Sequence, residues 1–165
     1  MLDRTHRIVS YAGAGVLAAV LGCGSSDTIA SKAVVPVQGA IFVGNKPAVG
    51  AIVTFWPLDD ANPKALPSQG RVGKDGTFSL TTYATADGAP AGNYVVAVYW
   101  PDPSKKPRNE EEEGDLAPDL LKKRFAVKGA SVLRAKVGNK ATVFARVDLD
   151  SAAATKSREY QLPEK

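Results

Sequence analysis

The sequence is poor in the residues that most often carry chemistry: 165 positions hold one cysteine, one histidine and one methionine. A single cysteine excludes an internal disulfide framework and any multi-cysteine zinc site. A single histidine, His6, leaves no His-rich metal site and no Ser-His-Asp arrangement in the body of the chain. An excess of one charge is also lacking. The formal net charge is only +4, with 23% charged residues, and the basic residues form no extended cluster, so no nucleic-acid partner is expected. Aromatic residues are few, at 7%. Glycine and proline are plentiful instead, 15 and 11, which favours short strands joined by turns in one ordinary domain.

The first 22 residues read as an address. Arg4, His6 and Arg7 make a basic start, and a charge-free apolar run of 14 residues follows from Ile8 to Leu21. As a helix that run reaches roughly 21 Å, short of a bilayer core of about 30 Å. Its length suits a secretory signal peptide at 1–22. The run ends in Val20, Leu21, Gly22 and Cys23, followed by small polar residues. This stretch resembles the lipobox of bacterial lipoproteins, with Val and Leu in an order that departs from the commonest version. The resemblance implies cleavage between Gly22 and Cys23 and acylation of Cys23, whose chains hold the protein on a membrane at about 0.8 kcal/mol per buried methylene. Removing the signal would take His6 with it.

Residues 23–33 are small and polar and read as a tether. Strand patterns occupy 34–150. Val37, Ile41 and Val43 share one parity, Ala51, Val53 and Phe55 alternate with Ile52, Thr54 and Trp56, and Lys74, Asp75 and Gly76 mark a hairpin turn. The stretch from Tyr94 to Trp100 is the most strand-like, and Pro101 stops it. The 24 residues of 101–124 contain four prolines and a run of four glutamates, which reads as a mobile insert with a helical turn near its end. Two more strands follow, from Leu133 and from Thr142, and 151–165 reads as a polar tail. About seven short strands without a long amphipathic helix give an all-β, antiparallel β-sandwich.

Four segments together resemble the carboxypeptidase regulatory-like domain of lipoproteins from planctomycete-type bacteria. They are VPVQG at 35–39 with NKP at 45–47, AIVTF at 51–55, GKDGTF at 73–78, and DGAPAGNY at 87–94 running on to VYW at 98–100. The resemblance implies a Greek-key, transthyretin-like sandwich with no catalytic centre and no cofactor, since in carboxypeptidases a domain of this shape is the accessory part.

Candidate chemistry in the residues is thin. Glu110 to Glu113 with Asp115 could be drawn as a calcium site, but consecutive glutamates on a proline-rich loop spread rather than converge, so no metal is expected. Asp59, Asp60 and Asp75 sit in turn signals that explain them without catalysis. Lys122, Lys123 and Arg124 could meet anionic headgroups or simply end a solvated turn. Alternation sends Val53, Phe55, Tyr94, Val96, Val98 and Trp100 into the core and leaves Ile52, Trp56, Val95 and Tyr99 on an outer face. That face is apolar enough to be a binding surface. Alternatively, the insert or the tail folds over it. The expectation is a non-enzymatic, lipid-anchored protein of the bacterial cell envelope, facing the periplasm or cell surface. Its membrane contact runs through Cys23, and its partner is an envelope protein or, as the alternative, a carbohydrate or other small ligand.

Overall fold

The structure, a computed structural model, describes residues 31–58, 65–105 and 117–165, without the side chains of 152 and 153. The signal-like segment with Gly22 and Cys23, most of the tether, Asp59, Asp60, the four-glutamate run and Asp115 therefore lie outside the described residues.

The described chain is all-β apart from one short helix. Its elements are β1 (Val34–Val35), β2 (Val37–Val43), β3 (Lys46–Pro47), β4 (Ile52–Pro57), β5 (Ser68–Arg71), β6 (Thr77–Ser79), β7 (Ala89–Pro90), β8 (Gly92–Tyr99), β9 (Leu133–Val137), β10 (Thr142–Asp148), α1 (Ala152–Lys156) and β11 (Tyr160–Gln161). The larger sheet has the order β11-β9-β8-β4-β5. In the smaller one β10 lies on one side of β2, with β3 and β6 on the other, and β1 pairs with β7. Two pairings are parallel, β10 with β2 and β11 with β9, where an all-antiparallel arrangement was expected. Alternation assigns a face to each residue but carries no information about strand direction, so this could not be read beforehand.

The strands follow the parity of their apolar residues. In β9, Leu133, Ala135 and Val137 are buried while Lys136 is exposed and Arg134 half-buried. In β10, Thr142 and Phe144 are even but Val147 is odd, and a two-residue period cannot bury all three. The register against β2 shifts between Val143 and Arg146, and this irregularity resets the parity. The two larger sheets face each other across a core centred on Phe55. Its ring lies 5.6 Å from Tyr94 in its own sheet, and 6.4 Å from Phe78 and 5.9 Å from Phe144 in the opposite one. Gly39 makes room for this packing, because a Cβ there would sit 2.7 Å from the Phe78 ring.

The edges of the two sheets are stitched together on both sides. On one, Gln69 and Thr81 exchange backbone hydrogen bonds of 2.9 and 2.7 Å. On the other, the Ala145 amide donates to Pro163 and the Lys165 amide to Val143. This arrangement corrects two sequence expectations. First, 151–165 is not a polar tail outside the domain. Ser151 caps α1 through a hydrogen bond from the Ala154 amide, β11 extends the larger sheet, and Leu162 is 2% exposed. A lone leucine among polar residues has no periodicity to announce it.

Second, the described flanks of 101–124 are not detached from the body. β9 pairs with β8 only as far as Val95, and beyond that point the 117–131 segment takes its place. The Val98 amide donates to Phe125, the Leu120 amide to Trp100, and the Ser131 hydroxyl to Val96. Phe125, just past the insert, is 1% exposed. The expected helical turn is a succession of tight turns, with Lys122 donating to Asp119 and Arg124 to Leu121, and with positive φ at both Lys122 and Lys123. Such φ values cannot continue a right-handed helix.

The buried position of Leu162 sets a test. Leu162→Ala should destabilise the protein by about 2–5 kcal/mol in chemical denaturation, as buried leucine truncations do. A dispensable tail would give a change near zero.

Candidate functional site

The apolar outer face of the larger sheet is assembled by the register of β4 against β8. Ile52 stands opposite Tyr99, Thr54 opposite Ala97, and Trp56 opposite Val95. Ile52, Trp56, Val95 and Tyr99 therefore do share one face. They do not form one continuous exposed patch. Val95 is 4% exposed and Ala97 3%, while Ile52, Trp56 and Tyr99 are half-buried. Val95 is thus removed from any direct contact, a correction to its assignment as an accessible residue: period-two alternation fixes the face, not what covers it. The Tyr99 hydroxyl donates to the carbonyl of Ala117, so the returning flank of the insert reaches this face. Burial pushes the Tyr99 phenol above its ordinary value, and the Asp119 carboxylate nearby adds to the rise. At the other end Lys128 extends its ammonium to the Pro57 carbonyl, 3.4 Å away.

Trp100, expected in the core, stands half-buried at the end of its strand. Its ring packs on the rim of the core and its indole N–H donates to the Val49 carbonyl at 3.0 Å. Placement beyond the last ladder position, with a polar N–H to satisfy, explains the difference. Trp56 is half-buried outside the core cluster, as its parity requires.

Beside Ile52 the face continues into an open groove of about 430 Å³ between β5 and the 79–82 segment. Gln69, Arg71, Ser79, Thr81 and Thr82 line it with Ile52. This is an array of amide, guanidinium and hydroxyl groups suited to hydrogen bonding rather than to proton transfer. Sequence reasoning missed it, because these residues come from two sheets brought together by the Gln69–Thr81 stitch and the Ser68–Thr82 hydroxyl pair.

The carboxylates serve the loops. Asp75 accepts from the amide and hydroxyl of Thr77, and these bonds hold its carboxyl below the usual range. Asp87 is partly desolvated, which raises its value, but hydrogen bonds from the amides of Thr82, Tyr83 and Ala84 outweigh that and leave it lowered. Asp148 is likewise raised by burial and lowered more by the amides of Asn45, Asp150 and Gly44. Next to Asp87, Gly88 has a φ of +101°, and any Cβ there would strike the Val35 carbonyl at 1.7 Å, so the loop admits only glycine. Carboxylates held ionised by backbone donors are weak bases. Of the basic triplet, Arg124 donates to the Leu149 carbonyl and stacks on Phe125, while Lys122 and Lys123 are exposed. No group of three potential metal-ligating side chains occurs among the described residues.

Comparison of the chain with protein families, with curated proteins and with solved structures finds no match.

Two expectations test the local geometry. Trp100→Phe should cost about 1 kcal/mol by loss of the Val49 hydrogen bond, whereas Trp56→Phe should stay within about 0.5 kcal/mol. Equal losses in denaturant titrations would contradict the assignment. The lowered values of Asp87 and Asp148 imply stability that is complete above the unfolded-state value of about 4 and is lost as pH falls through the native values. Asp87→Asn should therefore flatten the acid limb of the stability–pH profile. An unchanged slope would show that Asp87 does not contribute to it.

Proposed function

We propose that this chain is a lipid-anchored protein of the bacterial cell envelope whose β-domain is a non-catalytic structural or protein-interaction module. The observation that carries the reading is the position of the sequence's one cysteine, Cys23, directly after its one signal-like apolar run. An acylated cysteine supplies the membrane affinity that a 14-residue segment is too short to provide by spanning. Among the described residues no helix is long and apolar enough to cross a membrane.

The domain is a Greek-key sandwich of the transthyretin-like type in this reading. Two facing sheets, joined at both edges and built around β2 and β8, support it. The glycine-dependent 87–94 turn lies at the heart of the resembling segments, and its geometry gives that motif a physical reason. The non-catalytic role draws on the lack of histidine after position 6 and on the capture of Asp75, Asp87 and Asp148 by backbone donors.

A second reading, binding of a carbohydrate or another hydroxyl-rich ligand, is favoured by one feature. The groove beside Ile52 presents Gln69, Arg71 and three hydroxyl-bearing residues, the donor and acceptor types that sugars engage.

Cys23→Ser should move the protein from the membrane fraction to the soluble fraction of an expressing bacterium and remove the acyl mass from the mature chain. An unacylated mass for the native protein overturns the anchor.

A further inference from the structure

We infer that the end of the domain from which the N-terminal segment departs, surfaced by Leu58, Leu66 and Tyr83, rests in the headgroup boundary of the membrane. The inference depends on the proposal that the N-terminal segment is held by that membrane. It adds which surface of the domain touches lipid.

Strand register defines this end. Val37 lies beside Thr142, Phe55 beside Ser68, Pro57 beside Tyr94, and Gly92 beside Val137. Leu58 continues β4 past its last residue, with its amide bonded to the Asn93 carbonyl at 2.8 Å. Leu66 precedes Ser68 by two residues, and continuation of the β4–β5 register sets it next to Pro57. Tyr83 follows Thr82, whose hydroxyl is 2.7 Å from that of Ser68. The three side chains are 47%, 46% and 43% exposed, a large share for two leucines and a tyrosine on one tip. The chain enters at this tip, where the Lys32 amide donates to the Tyr83 hydroxyl at 3.1 Å.

The opposite end carries apolar residues of its own, Val49 at 48% and Leu120 at 43%, beside Trp100. Leash length separates the two ends. From Cys23 to Lys32 is nine residues, which reach at most about 32 Å when fully extended. The eight residues of β8 alone span about 26 Å along the body. Bringing the far end to the membrane would draw the leash out along almost the whole domain, at a cost in chain entropy, whereas the near end reaches the surface with slack. Leucine and tyrosine at such a tip match the chemistry of the interfacial zone, where apolar bodies sit below polar tips. Charge at this end is of both signs, with Lys32, Lys128, Lys136 and Lys140 beside Asp87 and Glu164, so the apolar side chains are what this surface offers to an uncharged bilayer. The contact should therefore form on zwitterionic lipid.

The test uses the full chain, purified from membranes and reconstituted into phosphatidylcholine vesicles containing brominated acyl chains, which quench tryptophan on contact. Leu66→Trp and Tyr83→Trp are each placed in a Trp56→Phe, Trp100→Phe background, and Trp56→Phe alone leaves Trp100 as the far-end reporter. With the tip sunk about 5–10 Å into the boundary, emission at 66 and 83 should fall at least roughly two-fold while Trp100 is unchanged. Vesicle-bound protein with no quenching at 66 and 83, or with quenching of Trp100 alone, overturns the orientation and leaves the anchor standing. Failure to float with the vesicles overturns the anchor and the orientation together.

Discussion

One aromatic ring stands at the centre of the contact between the two sheets. Phe55 is fully buried and touches rings from both, with Tyr94 on its own side and Phe78 and Phe144 across the core. Truncating such a ring costs about 3–5 kcal/mol, against a total of about 5–15 kcal/mol for a domain. Other features follow from accommodating it. Gly39 has no side chain because Phe78 needs the space, and β10 shifts register so that Phe144 and Val147 can both face inward. The stitched edges then keep the sheets from sliding apart and pair backbone groups that would otherwise be open to other chains.

The elements nearest to that ring were the ones most legible in the sequence. Val53, Phe55, Tyr94, Val96 and Val98 announce themselves by parity, and each lies in the core. Parity failed where burial has another cause. Val95 and Ala97 point outward yet are covered, and Trp100 points inward yet sits at a strand end where its N–H reaches Val49. Leu162 is a lone leucine in a polar stretch, and Phe125 lies in an irregular segment whose Val127 is exposed, so no two-residue period marks either as core. The parallel pairings of β10 and β11 were invisible for a related reason. They depend on where the chain goes after the 138–141 turn that follows β9 and after α1, and both are set by tertiary contacts.

The candidate site shows the same division. The sharing of one face by Ile52, Trp56 and Tyr99 was legible from alternation, and the ladder between β4 and β8 realises it. The polar groove beside Ile52 was not, because Gln69 and Thr81 meet across a sheet boundary. The carboxylates divide cleanly as well. Asp75 reads as a turn residue, and the hydrogen bonds from Thr77 give that role its mechanism. What emerges is a small body with glycine-dependent and aspartate-tied loops, carried in the proposed function on a short N-terminal leash. In the proposed function, such a body holds a surface at a fixed height above a membrane.

The central structural claim is that the two sheets and the C-terminal segment form one cooperative unit around Phe55. Native-state hydrogen exchange of the full chain measures it most directly. Amides of Ala145 and Lys165, which bond across the closing edge, and of Tyr160 and Leu162, which bond to Val132 and Arg134 within the larger sheet, should open with the same free energy as those of the central strand such as Val98, and should respond equally to denaturant. Opening of Tyr160 and Leu162 at several kcal/mol below the central strand would contradict it, because the C-terminal segment would then be an appendage and not part of the folded unit.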